Sequence, residues 1–195
     1  MQMVREEIKS LFLNDYHVSE EDFELLLSKS RRIELEKGEI IIAADKLSDE
    51  VFLVESGLTR GYFGDTKGNE VTECFGVSGD MFTAMFCYFK GEPAFLQYEA
   101  VTPMVLYAIR KDELERLCMQ SLSIANFFRI VCIEQLYCLE RKCKIFGKDD
   151  ALNRYISLIK VRPQIVKEVP LKHIASYLGI TQQSLSRLRA SIRNL

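Results

Sequence analysis

The 195-residue sequence has no tryptophan, four prolines and two histidines, and what it lacks narrows its chemistry. His17 and His173 are widely separated and read as isolated surface residues, so no paired-histidine metal motif exists. None of the six cysteines forms a Cys-x-x-Cys pair; the closest spacings are five and six residues. Zinc and iron-sulfur sites are therefore not expected, and no cofactor is. No nucleophile has a sequence-evident base and no phosphate-cradling glycine loop runs into a helix, which argues against an enzyme. No run approaches the roughly 18 apolar residues of a membrane span. Met1 to Ser10 carries charges where a secretion signal would be apolar. A cytoplasmic chain without membrane contacts is expected, with Cys74, Cys87, Cys118, Cys132, Cys138 and Cys143 as buried free thiols.

What is present is ordinary globular material, 48% hydrophobic and 28% charged, enough for one large or two small cores. The net charge of −2 conceals an asymmetry. From Lys148 onward nine basic residues face three acidic ones, whereas the preceding chain has seventeen against twenty-five. A small basic end on an acidic body suits a polyanionic partner, though a solvated basic surface would look the same.

Texture divides the chain. Ser19-Glu20-Glu21-Asp22 has a capping serine and acidic first-turn residues, and Phe23, Leu26 and Leu27 then make an apolar stripe, which predicts an N-terminal helix. From Ile33 to Ile109 short β-branched and aromatic runs alternate with glycines. Strands are expected at Ile40 to Ala43, Val51 to Glu55, Leu58 to Phe63, Glu70 to Phe75, Phe95 to Val101 and Met104 to Ile109. Gly64-Asp65-Thr66-Lys67-Gly68-Asn69 suits a hairpin. Many strands at this spacing imply an antiparallel β-roll, giving an α+β fold. Lys111 to Cys118 reads as a short amphipathic helix, and Leu122 to about Phe146 as a long one. Its apolar residues cover more than one face, so cover by the roll and by the same helix of a second subunit is expected. Ile124, Phe127, Phe128, Val131, Gln135 and Cys138 are the candidate interface of that homodimer. The expected divisions are 1–121, 122–147 and 148–195, with Lys148-Asp149-Asp150 starting the last.

The strongest local signal lies between Val169 and Arg189. Ala175 is small where two helices cross, Gly179 can adopt the left-handed conformation of a sharp turn, and Thr181 can cap the next helix. Ile174, Leu178, Ile180, Leu185 and Leu188 supply a miniature core. That pattern is a helix-turn-helix, with Gln182, Gln183, Ser186, Arg187 and Ala190 facing outward. Arginine can bond guanine and glutamine adenine in bidentate fashion, so Gln183 and Arg187 are the expected base readers. Thr181, Ser184 and Arg189 are expected on phosphates. Double-stranded DNA is the expected partner and transcription regulation the expected function. A regulatory module working through protein contacts is the alternative.

Roll, long helix and C-terminal helix-turn-helix in that order resemble the bacterial regulators of the cyclic-AMP receptor protein and fumarate-nitrate regulator (Crp/Fnr) family. The resemblance runs from about Phe23 to Ile192, with Lys37-Gly38-Glu39 before the first roll strand and Val51-Phe52-Leu53-Val54-Glu55-Ser56-Gly57 in its middle. It implies an effector-binding roll, a dimerising helix, a palindromic DNA site and RNA polymerase as a possible partner. Gln182, Gln183 and Arg187 fall where the family places base readers.

The resemblance weakens at the effector region, whose candidates are Gly79, Asp80, Met81, Phe82, Lys90, Ala94, Phe95 and Tyr98. Cyclic-nucleotide members carry Gly-Glu and, about ten residues on, Arg-Ser-Ala or Arg-Thr-Ala. Here Ser78-Gly79-Asp80 stands first and Ala94-Phe95 second, so the phosphate-neutralising arginine is missing. Burying a phosphate without a cation costs several kcal/mol, so ordinary cyclic-AMP binding is expected to be lost. Lys90 could substitute if the Cys87 to Phe95 loop folded back. The apolar residues there suit either a different, less charged small-molecule effector or an interior filled by its own side chains. The N-terminal cysteine cluster of iron-sulfur members and a haem-ligating histidine in the roll are also missing. Only seven residues follow Leu188, so DNA contacts are expected from the reading helix and its neighbours, or from chain beyond Leu195.

Overall fold

A computed structural model describes residues 2–148 and 150–193, with side chains at 6–137, 139–140 and 150–191. Asp149 and the side chains of Cys138, Cys143 and Ile192 lie outside the described residues.

Two helices open the chain, α1 (Gln2–Asn14) and α2 (Glu20–Ser28). The Ser19 side chain accepts from the Asp22 amide at 3.1 Å, and Glu20, Glu21 and Asp22 occupy the positive first turn. Phe23 and Leu26 are buried as the stripe requires.

The roll has two four-stranded antiparallel sheets. One orders β1 (Arg31–Leu35), β8 (Met104–Arg110), β3 (Glu50–Ser56) and β6 (Met81–Thr83). The other orders β2 (Ile40–Ile42), β7 (Gln97–Ala100), β4 (Thr59–Gly64) and β5 (Glu70–Gly76). The six expected strands are there within a residue or two. β1 and β6 exceed that expectation, as does α3 (Met85–Lys90), which lies where the sequence suggested a loop.

β3 reads as a nearly unbroken apolar run because both its faces are covered. Phe52 and Val54 point into the roll, where Leu106, Ala108, Tyr98 and Ala100 meet them. Val51 and Leu53 point outward into a second cluster with Ile8, Phe12, Phe23, Leu114, Ile124 and Phe127. That second cluster is closed by α1, α2, α4 (Lys111–Gln120) and α5 (Leu122–Lys148). At the α4–α5 elbow the Ser121 and Ser123 hydroxyls donate to the Asp22 carboxylate, tying the elbow to α2.

Four helices follow: α6 (Ala151–Val161), α7 (Pro163–Glu168), α8 (Leu171–Tyr177) and α9 (Gln182–Arg193). Asp150 caps α6 by accepting from the Asn153 amide at 2.8 Å, and proline occupies the first turn of α7. Tyr155, Leu158, Ile165, Val169, Ile174 and Leu185 form a third cluster, which Leu58, Val77 and Val101 of the roll complete. The helical unit thus shares its core with the roll.

Candidate nucleic-acid interface

The turn between α8 and α9 is built as its residue types require. Gly179 has φ +69, a left-handed backbone that costs glycine little, and Thr181 Oγ1 accepts from the Ser184 amide at 3.1 Å. Ala175 is 2% exposed at the crossing, Ile174 and Leu185 are fully buried, and Leu178 is 2% exposed. Ile180 and Leu188 are half-buried at the edge of this core.

One face of α9 is thereby committed to packing. Gln182, Gln183, Ser186, Arg187 and Ala190 are exposed together on the other, beside exposed Thr181. Ser184 and Arg189 are half-buried on its flanks. A helix presenting amides, a hydroxyl and a guanidinium without a carboxylate can donate to base edges and to phosphates.

The effector candidates do not converge. Phe82, Ala94 and Tyr98 belong to the roll interior, whereas Met81 packs on the opposite side of its sheet against the helices. Rings fill that interior: Phe52 stacks on Phe82 with centroids 5.2 Å apart, and Phe82 on Tyr98 at 4.8 Å. Gly61 makes room for the stack, since a Cβ there would stand 2.9 Å from Tyr98 Cε1. The Cys74 thiol donates to the Tyr98 hydroxyl at 3.9 Å, and burial pushes that phenol well above its ordinary pKa.

Asp80 is engaged elsewhere. Its carboxylate accepts from the Val77 amide at 2.9 Å and from the Arg162 guanidinium at the start of α7. Gly79, at φ +89, lies beside Leu11 of α1. Lys90 and Phe95 are both exposed; the former ends α3, and the latter packs its ring on Phe63 at 5.0 Å. A cleft of about 410 Å³ lies between β1, β3 and β8, with Arg32, Glu34, Glu36 and Glu55 in its walls. None of the eight candidates lines it.

Along α5, Ile124 and Phe127 are 0% and 1% exposed inside the protomer, with the Phe127 ring 4.5 Å from Phe12. They are spent on the chain's own core. Phe128 and Val131 are half-buried, Gln135 is exposed, and Cys138 falls outside the described side chains. Further along, Leu136, Tyr137 and Leu139 are 65%, 59% and 56% exposed. Of the cysteines expected to be buried, Cys87 is, while Cys74, Cys118 and Cys132 are half-buried.

His173 departs most from expectation. It is 8% exposed rather than on the surface, because α8 lies against β5 and brings it to Arg60 of β4. Arg60 is 1% exposed and fully engaged: Nε donates to Glu99 at 2.9 Å, Nη2 to Glu70 at 2.7 Å, and Nη1 to His173 Nδ1. The guanidinium also covers the Tyr62 ring at 3.9 Å, and it holds the Glu70 carboxyl below its usual range. Next to it, Ser176 Oγ accepts from the Thr72 amide at 2.9 Å and donates to the Glu70 carbonyl at 3.0 Å. Sequence reasoning missed this cluster. A lone arginine inside an otherwise apolar and aromatic strand was its one local sign.

The cyclic nucleotide-binding domain family matches residues 32–121. No curated protein matches the sequence. Among solved structures the chain is similar to FixK2 from Bradyrhizobium japonicum, with TM-score 0.73, 19% identity and 85% of each chain covered. It is similar to the c-di-GMP responsive global regulator CLP of Xanthomonas campestris, with TM-score 0.72, 15% identity and 90% and 92% of the two chains covered. A transcriptional regulator of the Crp/Fnr family from Eubacterium rectale gives TM-score 0.69 at 17% identity, covering 92% of this chain and 88% of that one. Among the described residues no helix is long and apolar enough to cross a membrane.

Proposed function

Starting from a chain whose residues 32–121 match the cyclic nucleotide-binding domain family and whose fold is that of the Crp/Fnr regulators, we propose that it is a homodimeric, DNA-binding transcription regulator that does not answer to cyclic AMP. The observation that carries this reading is α9. It pairs with α8 around Gly179 and leaves Gln182, Gln183, Ser186 and Arg187 exposed on one face. In a helix-turn-helix the second helix enters the major groove and the first crosses the backbone. Gln183 and Arg187 are then the base readers, and Thr181, Ser184 and Arg189 hold phosphates.

Dimerisation is supported by α5, whose distal apolar residues Leu136, Tyr137 and Leu139 are largely exposed in the protomer. A second α5 would cover them, pairing two reading helices over a palindromic site. Residues 1–121, 122–147 and 148–195 then act as sensor-type roll, dimerising helix and DNA-binding unit. The loss of cyclic-AMP response is supported by the Phe52–Phe82–Tyr98 stack in the roll interior, by the Asp80–Arg162 pair, and by Ala94 and Phe95 where an arginine would serve a phosphate.

Selecting fragments from random double-stranded DNA on the full chain tests the reading. Enrichment of a two-fold symmetric sequence, with affinity falling steeply as salt rises, is the expected result. Absent or salt-insensitive retention would replace it with a regulatory module that works through protein contacts.

A further inference from the structure

We propose that the Arg60–His173 contact is an acid-released latch: α8 is held on the outer face of the β4–β5 sheet by a hydrogen bond that requires a neutral imidazole, and protonation of His173 frees it.

The requirement follows from donor and acceptor chemistry. A guanidinium has donors and no acceptor, so the His173 Nδ1 that faces Arg60 Nη1 must offer its lone pair. The ring is therefore neutral, with its proton on Nε2. A second proton on Nδ1 would set N–H against N–H and one cation against another, where both side chains are withdrawn from water. Arg60 cannot turn away cheaply, because Glu99, Glu70 and Thr72 hold the rest of its fork.

The charged groups around His173 oppose one another. Arg60 of β4, Lys172 beside it on α8 and Lys37 before β2 disfavour its protonation, while Glu70 of β5 favours it. Burial comes first and Arg60 second among the causes, and His173 is pushed down to about 4. Once α8 leaves the sheet the ring returns toward the ordinary value of about 6.5. The undocked state thus binds more protons between these values. Docking is complete above about pH 6.5 and weakens roughly tenfold per pH unit as pH falls toward 4. The contacts that would let go together are the Ser176 bridge to β5, the Phe75–Tyr177 ring pair at 5.2 Å and the packing of Ile174 and Ala175 in the core shared with Leu58, Val77 and Val101.

Nothing in the latch requires DNA, so it stands or falls apart from the proposed function. Amide hydrogen exchange of the full chain, corrected for intrinsic rate, is measured at pH 7.5, 6 and 5. Protection of 171–178 and of the Thr72 amide should drop about tenfold between pH 6 and 5, with β3 unchanged as internal reference. In His173→Gln the side-chain carbonyl can accept from Arg60 but cannot titrate, so its protection should stay level. With two histidines in the chain, the His173 ring resonance can be assigned from a His17→Gln variant, and it should remain neutral down to about pH 5. Level wild-type protection, a parallel drop in His173→Gln, or ordinary titration of the His173 ring would each overturn the latch. Should His173→Gln fail to fold, the wild-type exchange and ring titration decide alone.

Discussion

Phe82 and Tyr98 lie ring against ring inside the β-roll, with centroids 4.8 Å apart and planes inclined by 21°. They come from different sheets, so the stack joins the two walls inside the roll, and on the proposed reading it takes the place of a ligand. Calorimetric titration with cyclic AMP should therefore show no binding in the micromolar range. A Phe52→Ala variant, which removes the far ring of the stack, should lose about 3–5 kcal/mol of stability, read as a lower urea midpoint.

Arg187→Ala should weaken binding to the selected DNA by about 1–3 kcal/mol and relax preference at one base position. Arg189→Ala should weaken binding evenly across sequences and lower the slope of log affinity against log salt by about 0.9. Competition binding on single-base variants of the site at two salt concentrations separates the two outcomes.

Two substitutions on α5 should behave differently. Leu136 is 65% exposed, so Leu136→Glu should leave the protomer folded and shift the proposed dimer to monomer in analytical ultracentrifugation. Phe127 is 1% exposed against Phe12 and Tyr16, so Phe127→Glu should unfold the protomer, with loss of its circular dichroism.

Gly57 follows β3 at φ +89, and a Cβ there would stand 2.4 Å from Met104 Cβ and 2.5 Å from the Pro103 carbonyl oxygen. Gly57→Ala should cost more than the roughly 1–3 kcal/mol of a left-handed backbone alone, because that collision is added to it. Gly38→Ala is the control, with φ +91 but no atom within 4 Å of the added methyl. Urea melts of the two variants should differ in midpoint and agree in slope.

The α8–turn–α9 pair was legible because its special positions each do a local job: Gly179 turns, Thr181 caps and Ala175 permits a crossing, all within seven residues. Six of the eight strands were legible through their β-branched and aromatic runs between glycines. β1 was missed because Arg31, Arg32 and Glu34 masked the inward Ile33 and Leu35, and β6 because Met81 to Thr83 run without a turn residue into the apolar start of α3. The placement of His173 could not be read locally, since its burial depends on Arg60, 113 residues away in sequence. Ile124 and Phe127 were assigned to a partner because sequence shows that a helix needs cover without showing which element supplies it. Here α1 supplies it, and no sequence expectation contained that helix.

The start of α5 is anchored, with Ile124 and Phe127 clamped in the roll's outer core, while Leu136, Tyr137 and Leu139 are exposed further along it. Its 27 residues make a rod about 40 Å long. At that length a tilt of about 5° at the clamp carries the far end through about 3.5 Å, on the scale of a hydrogen bond. A repacking of Phe12 against Phe127 too small to disturb the core would therefore arrive at the far end as the gain or loss of a contact. The geometry of the rod supplies that amplification, with no moving hinge along its length.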